Sequence, residues 1–280
     1  MWEILLDTAV DTVKLIPFLF LTYLLMEYME HKTGEKARQM VRHAGRMGPV
    51  IGGILGIFPQ CGFSAAASGL YAGKVISMGT LIAIYLSTSD EMLPVMISEK
   101  VPVLDLVRIL LLKMLIGVVA GILIDFSLGK KKAKQGNAKL DERESHHEHC
   151  CKNGIFMSAL EHTLQILVFL FLISLILNGV IAWIGEEQIS HFMMNRPVWG
   201  ELIAGLVGLI PNCAASVVIT QLYLEGMISF GAMMSGVLVG AGLGLLVLFR
   251  VNEDKKECLK VLCLLYAIGV AAGIVIEFLT

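Results

Sequence analysis

Charge is scarce in this chain. Only 16% of its 280 residues are Asp, Glu, Lys or Arg, against about a quarter in a soluble domain. Signatures of chemistry are missing too. No HExxH and no GxSxG occurs, and no His lies in the middle of an apolar block, which argues against an intramembrane protease or transferase. No GxxxxGKS/T loop is present, so transport energy would come from an ion gradient or a partner rather than from ATP bound by this chain. A disulfide framework is not expected from the six cysteines. Cys61, Cys213, Cys258 and Cys263 lie in or beside apolar blocks, and Cys150 and Cys151 are neighbours, which disfavours their pairing. The chain starts with acids (Glu3, Asp7, Asp11) rather than bases, so no cleavable signal peptide is expected. The net charge of −2 decides nothing alone, and no nucleic-acid partner is expected.

What is abundant is apolar sequence in long runs. Hydrophobic residues make up 56% of the chain, and the mean hydropathy is +0.76. The runs are Leu15–Met26, Gly48–Leu70, Ile76–Ile97, Ile109–Ile124, Ile166–Ile184, Leu202–Tyr223, Met227–Phe249 and Val261–Phe278. A hydrocarbon core about 30 Å thick needs roughly 20 helical residues, and most of these runs approach that. They lack the alternation of a transmembrane barrel. The fold class is therefore all-α and integral to the lipid bilayer.

The runs repeat. Shifted by 152 residues, Gly48–Gly79 lies on Gly200–Gly231 without a gap. Identities include Gly53/Gly205, Gly56/Gly208, Pro59/Pro211, Cys61/Cys213, Ser64/Ser216, Tyr71/Tyr223 and Gly79/Gly231. The same shift puts GVVAGILIDF (117–126) on GVAAGIVIEF (269–278). Lipid does not favour Pro, Cys and Gly in register, so the match is read as internal duplication, the sequence mark of many transporters.

Loop charge sets the orientation. Lys32, Lys36, Arg38, Arg42 and Arg46 place 31–47 in the cytoplasm, and Lys130, Lys131, Lys132, Lys134, Lys139, Arg143 and Lys152 place 129–153 there also. An even number of crossings must separate them, so one of three runs does not cross. Pro59 interrupts Gly48–Gly73, which is read as a re-entrant hairpin of two half-helices. Each half is then three spanning helices plus a hairpin, and the odd number inverts the second half. Ten segments result if the hairpin arms are counted. The expected parts are a first repeat (1–128), a cytoplasmic His/Lys-rich linker (129–153) and a second, inverted repeat (154–280), with both termini outside.

A helix broken in lipid exposes backbone that only a protein interior or an aqueous cavity tolerates. The structural breaks are Pro59 and Pro211. Around them the tips would offer Gln60 and Asn212 as oxygen donors, Cys61 and Cys213 as soft sulfur, and Ser64 and Ser216 as hydroxyls. Ser68 and Thr220 lie deeper and are as well explained by helix packing. A second constellation, Ser87-Thr88-Ser89-Asp90-Glu91, falls inside Ile76–Ile97, where acids are costly and usually functional. Its repeat partner, Val239-Gly240-Ala241-Gly242-Leu243, carries no charge. Asp90 and Glu91 are expected to bind a cation or couple protons, and both face one site only if the backbone there unwinds. Ser87 and Ser89 would be secondary. Arg108 and Lys113 are expected to snorkel outward. His146, His147, His149, Cys150 and Cys151 in the linker are a candidate metal tract, serving as sensor or collector.

The Pro-Gln-Cys and Pro-Asn-Cys pair, the repeat, the Ser-Thr-Ser-Asp-Glu stretch and the His-rich linker together resemble the ten-segment heavy-metal exporters. That family is related to the organoarsenical permeases and is variously described as arsenic efflux proteins or manganese transporters. The resemblance covers essentially the whole chain. It implies efflux of a metal or metalloid across a prokaryotic inner membrane, by a transporter and not an enzyme. The expectation is a secondary exporter of a divalent cation of the Mn, Zn or Cd type, working by alternating access. Efflux of trivalent or organic arsenicals is the alternative, and an intramembrane enzyme is less favoured. No cofactor is expected beyond the transported ion, and a homodimer is left open.

Overall fold

The computed structural model describes residues 39–42, 44–57, 61–89, 92–127, 164, 198–210, 213–252 and 254–279. The first and fifth apolar runs, the breaks at Pro59 and Pro211, Asp90, Glu91 and the linker lie outside these residues. Among the described residues all regular structure is helical: α1 (Gly48–Gly56), α2 (Cys61–Ala72), α3 (Met78–Ser87), α4 (Met92–Ser98), α5 (Val103–Ser127), α6 (Trp199–Gly208), α7 (Cys213–Leu224), α8 (Phe230–Val239), α9 (Leu243–Val251) and α10 (Lys255–Leu279).

The second five helices reproduce the first five at the offset read from the sequence. Ser77 caps α3 by accepting from the Thr80 N–H at 3.1 Å, and Ser229 caps α8 by accepting from the Ala232 N–H at 3.2 Å. Each cap is tied to the long helix behind it. Asp125 of α5 accepts from the Gly79 N–H at 3.0 Å and from the Ser77 hydroxyl at 2.6 Å. Glu277 of α10 accepts from the Gly231 N–H at 2.9 Å. Replacing Asp125 by Ala strands these donors at a helix start, which costs about 1–3 kcal/mol. Thermal unfolding of the purified protein in detergent should show the loss, and Asp125→Asn should recover part of it. An unchanged midpoint would mean the cap is held by something else.

α3 and α8 form the centre. Every residue from Gly79 to Ser87 and from Gly231 to Val239 is buried, as expected of helices that are apolar all round. α5 packs on α3, and α10 on α8. These crossings are close because glycines meet backbone: a Cβ on Gly79 would lie 2.2 Å from the Gly121 carbonyl oxygen, and one on Gly231 would lie 2.6 Å from that of Gly273. The outer faces of α5 and α10 expose Leu104, Leu111, Leu115, Phe126, Leu259 and Phe278. At 25 residues each, these two helices run about 38 Å, enough to cross a bilayer.

The halves also exchange packing. α1 stays with α3 and α5 of its own half, whereas α2 packs on α9 of the other half. Reciprocally, α6 stays with α8, and α7 reaches α4.

Ile76–Ile97 and Met227–Phe249, each counted as one crossing, are interrupted helices: α3 stops before Thr88 and α4 restarts at Met92, and α8 stops before Gly240 and α9 restarts at Leu243. Pro94 supplies the physical reason in the first half, since it has no N–H for the carbonyl four residues earlier. In the second half Gly242 adopts φ 53°, ψ −137°, a conformation glycine accepts without a Cβ clash.

Candidate functional site

The breaks between α3 and α4 and between α8 and α9 lie side by side. A small cleft between the halves is lined by Thr88, Ser89 and Met92 from the first and by Ser216, Val237, Gly240 and Gly242 from the second. Thr88 is the C-cap of α3 in extended backbone, and Gly240 is the C-cap of α8. Helix C-termini carry carbonyls without intrahelical partners and partial negative charge, so the field of these two ends favours a positive group. Ser216 sits one turn into α7 and approaches Gly240 so closely that a Cβ there would lie 3.0 Å from its Oγ.

The expected site residues divide as follows. Ser89 and Ser216 line the cleft, and Ser87 is fully buried beside it with its hydroxyl bonded to the Ala83 carbonyl at 2.5 Å. Cys61 and Cys213 are the first residues of α2 and α7, so both cysteines stand where the Pro-containing breaks end. Ser68 and Thr220 serve packing. Ser68 lies 2.6 Å from the Tyr85 hydroxyl and 2.7 Å from the Gly244 carbonyl, and Thr220 bonds the Ser216 carbonyl at 2.7 Å. Ser64, fully buried, meets Gly244 at the second break rather than the cleft: a Cβ on Gly244 would lie 3.0 Å from that of Ser64. Gln60, Asn212, Asp90, Glu91, Pro59, Pro211 and the linker tract of His146, His147, His149, Cys150 and Cys151 lie outside the described residues. Asp90 and Glu91 are nonetheless bracketed by Ser89 at 1% exposure and Met92 at 0%.

One expectation is overturned. Arg108 is exposed and lies 3.4 Å from Asp105, but Lys113 does not snorkel. It is 0% exposed, and its Nζ donates to the carbonyls of Thr88 and, at 3.1 Å, Val237. It stands ten residues into α5, about 15 Å from the helix start, too deep for a lysine stem to reach the surface. Sequence reasoning also missed Tyr85, buried against Ser68, and Glu201, buried in the first turn of α6 where the repeat has Pro49. The usable signal was asymmetry. The register pairs Lys113 with Leu265 and Tyr85 with Val237, so polar groups stand in the first half where the second is apolar.

No curated protein and no solved structure matches the chain. One family model does, over residues 2–186 and again over 152–280. With helices long and apolar enough to cross a membrane and a polar cleft at the centre of the fold, the chain belongs to the family described as "Putative, 10TM heavy-metal exporter".

Proposed function

We propose that the protein is a secondary active exporter of a divalent transition or heavy-metal cation, with the cargo bound in the cleft between the two helix breaks. The observation that carries this reading is the meeting of α3 and α8 at their C-terminal ends, with hydroxyls from both halves around them. Carbonyl and hydroxyl oxygens suit a hard or borderline cation, and Asp90 and Glu91, next in sequence to Ser89, would supply its countercharge. Cys61, Cys213, Gln60 and Asn212 would complete the ligand set from the starts of α2 and α7. Thiolates would shift preference toward Zn²⁺ or Cd²⁺, and oxygen ligands toward Mn²⁺.

Pro59 and Pro211 would turn two oppositely inserted hairpins, making the halves inverted repeats that rock about the cleft in alternating access. In this reading the membrane is the prokaryotic inner membrane, the termini are outside, and the linker tract collects metal on the cytoplasmic side. The paired cysteines at the starts of α2 and α7 favour one second reading: efflux of arsenicals, with the thiols as ligands.

The test is uptake by everted vesicles or proteoliposomes, under an imposed ion gradient, of Mn²⁺, Zn²⁺, Cd²⁺, arsenite and methylarsenite. Gradient-dependent uptake of at least one divalent cation is expected. Uptake of arsenicals alone would sink the cation reading and leave the second.

A further inference from the structure

Lys113 is left over by the exporter reading, because a cation site has no evident need of a fixed cation. A charged group at this depth is expensive unless well partnered. Its partners include the two carbonyls already named, Thr88 at the C-terminal cap of α3 and Val237 in the last turn of α8. They come from different halves of the chain, and both residues line the cleft. The lysine nitrogen therefore holds oxygens that an entering metal ion would want. The scaffold does not require it: at the equivalent place in the second half, Leu265 is equally buried on α10.

We infer that Lys113 is a tethered counter-cation, which holds the carbonyl ends of α3 and α8 while the cleft is empty and must be displaced by the cargo. The inference rests on the reading that the cargo is a cation bound in this cleft. Two consequences follow from the geometry. A tethered competitor has a high effective concentration, so it weakens cargo binding and helps release. It also bridges the two halves, so displacing it loosens α3 from α8. Cargo binding is thereby linked to relative movement of the halves through a differential contact.

The experiment compares wild type with Lys113→Leu, Lys113→Gln and Lys113→Arg, all full-length and reconstituted in proteoliposomes. Initial uptake rates are measured against the concentration of Mn²⁺, Zn²⁺ and Cd²⁺ separately. Leu copies the second half, Gln keeps a donor without the charge, and Arg keeps both. The two neutral variants should lower the half-saturating concentration about 5- to 150-fold, the range of ordinary coupling energies, and lower the maximal rate. The Arg variant should keep half-saturation within about threefold of wild type.

A purely structural brace would reduce the rate or the yield of folded protein without tightening half-saturation. That result, in monodisperse neutral variants, overturns the inference. Failure of both neutral variants to fold while Arg folds overturns it as well, since the charge would then belong to the scaffold. The exporter reading fails separately: it falls if wild type itself carries none of the three cations, whatever the variants do.

Discussion

Asp90→Asn should abolish divalent-cation transport while leaving a folded, membrane-inserted protein. Asp90 follows Ser89 directly in sequence, and the described residues on either side of the Asp90-Glu91 pair, Ser89 and Met92, are buried. Its repeat partner is Gly242, so the fold builds the equivalent turn without a carboxylate. Loss of the charge should therefore spare the scaffold. Its effect on a cation is large. One unit-charge pair at 4 Å is worth about 4 kcal/mol at an effective dielectric of 20, and a divalent ion feels about twice that. Such a loss exceeds a thousandfold in affinity and would read as no uptake. Asp105→Asn is the control, since Asp105 lies on the outer part of α5 with Arg108 and should transport as wild type. The double variant Cys61→Ser, Cys213→Ser separates the two readings. It should abolish arsenical uptake if the thiols are the ligands, and spare uptake of oxygen-preferring Mn²⁺ if they are not. Normal transport of every substrate by both the Asp90 and the double cysteine variants would show that the cargo binds elsewhere.

The largest structural effect is expected from Gly208→Val. A Cβ at this position would lie 2.2 Å from the Gly236 carbonyl oxygen, 3.1 Å from its carbon and 3.2 Å from its Cα. Those atoms are backbone in the middle of α8, a helix buried on all sides. No side chain can swing away to make room, so α6 must leave α8 or α8 must leave the cleft. Overpacking costs typically 1–3 kcal/mol when neighbours can adjust, and more when they cannot. Against total stabilities of about 5–15 kcal/mol, most of the protein should be lost as aggregate on detergent extraction. Gly69→Ala should be harmless, because a Cβ there meets nothing within 4 Å. Normal yield and unfolding temperature for Gly208→Val would refute the close contact.

The repeat was legible because its markers are residues with backbone meaning. Gly56, Gly79 and Gly208 face backbone or short polar side chains, so these positions hold their register whatever the lipid-facing residues do, and Pro59 and Pro211 match in sequence between them. The breaks inside α3–α4 and α8–α9 were harder to read. Ser-Thr-Ser and Gly-Ala-Gly both suit an unwound turn, but within apolar runs of spanning length they are equally compatible with a continuous helix. Only Pro94 gave a local reason for interruption, and only in one half. Lys113 was misread because distance from the run's edge was judged without knowing where α5 begins. Once Val103 is fixed as its start, the lysine is too deep for the surface. That Ser89 and Ser216 line one cleft has no sequence signal at all, since it depends on how α7 crosses α4.

The exchange of α2 and α9 has a consequence for how the protein is made. The Ser68 hydroxyl finds the Gly244 carbonyl across 176 residues of chain. At ribosomal rates of about 5–20 residues per second, roughly ten seconds or more separate the two. During that interval the hydroxyl has the Ser64 carbonyl of its own helix at 2.8 Å and the Tyr85 hydroxyl of α3 at 2.6 Å, but the face of α2 that will meet α9 lacks that helix. A nascent chain that stops before α9 is thus a membrane-held intermediate with an unfinished seam, and only the last stretch of translation closes it.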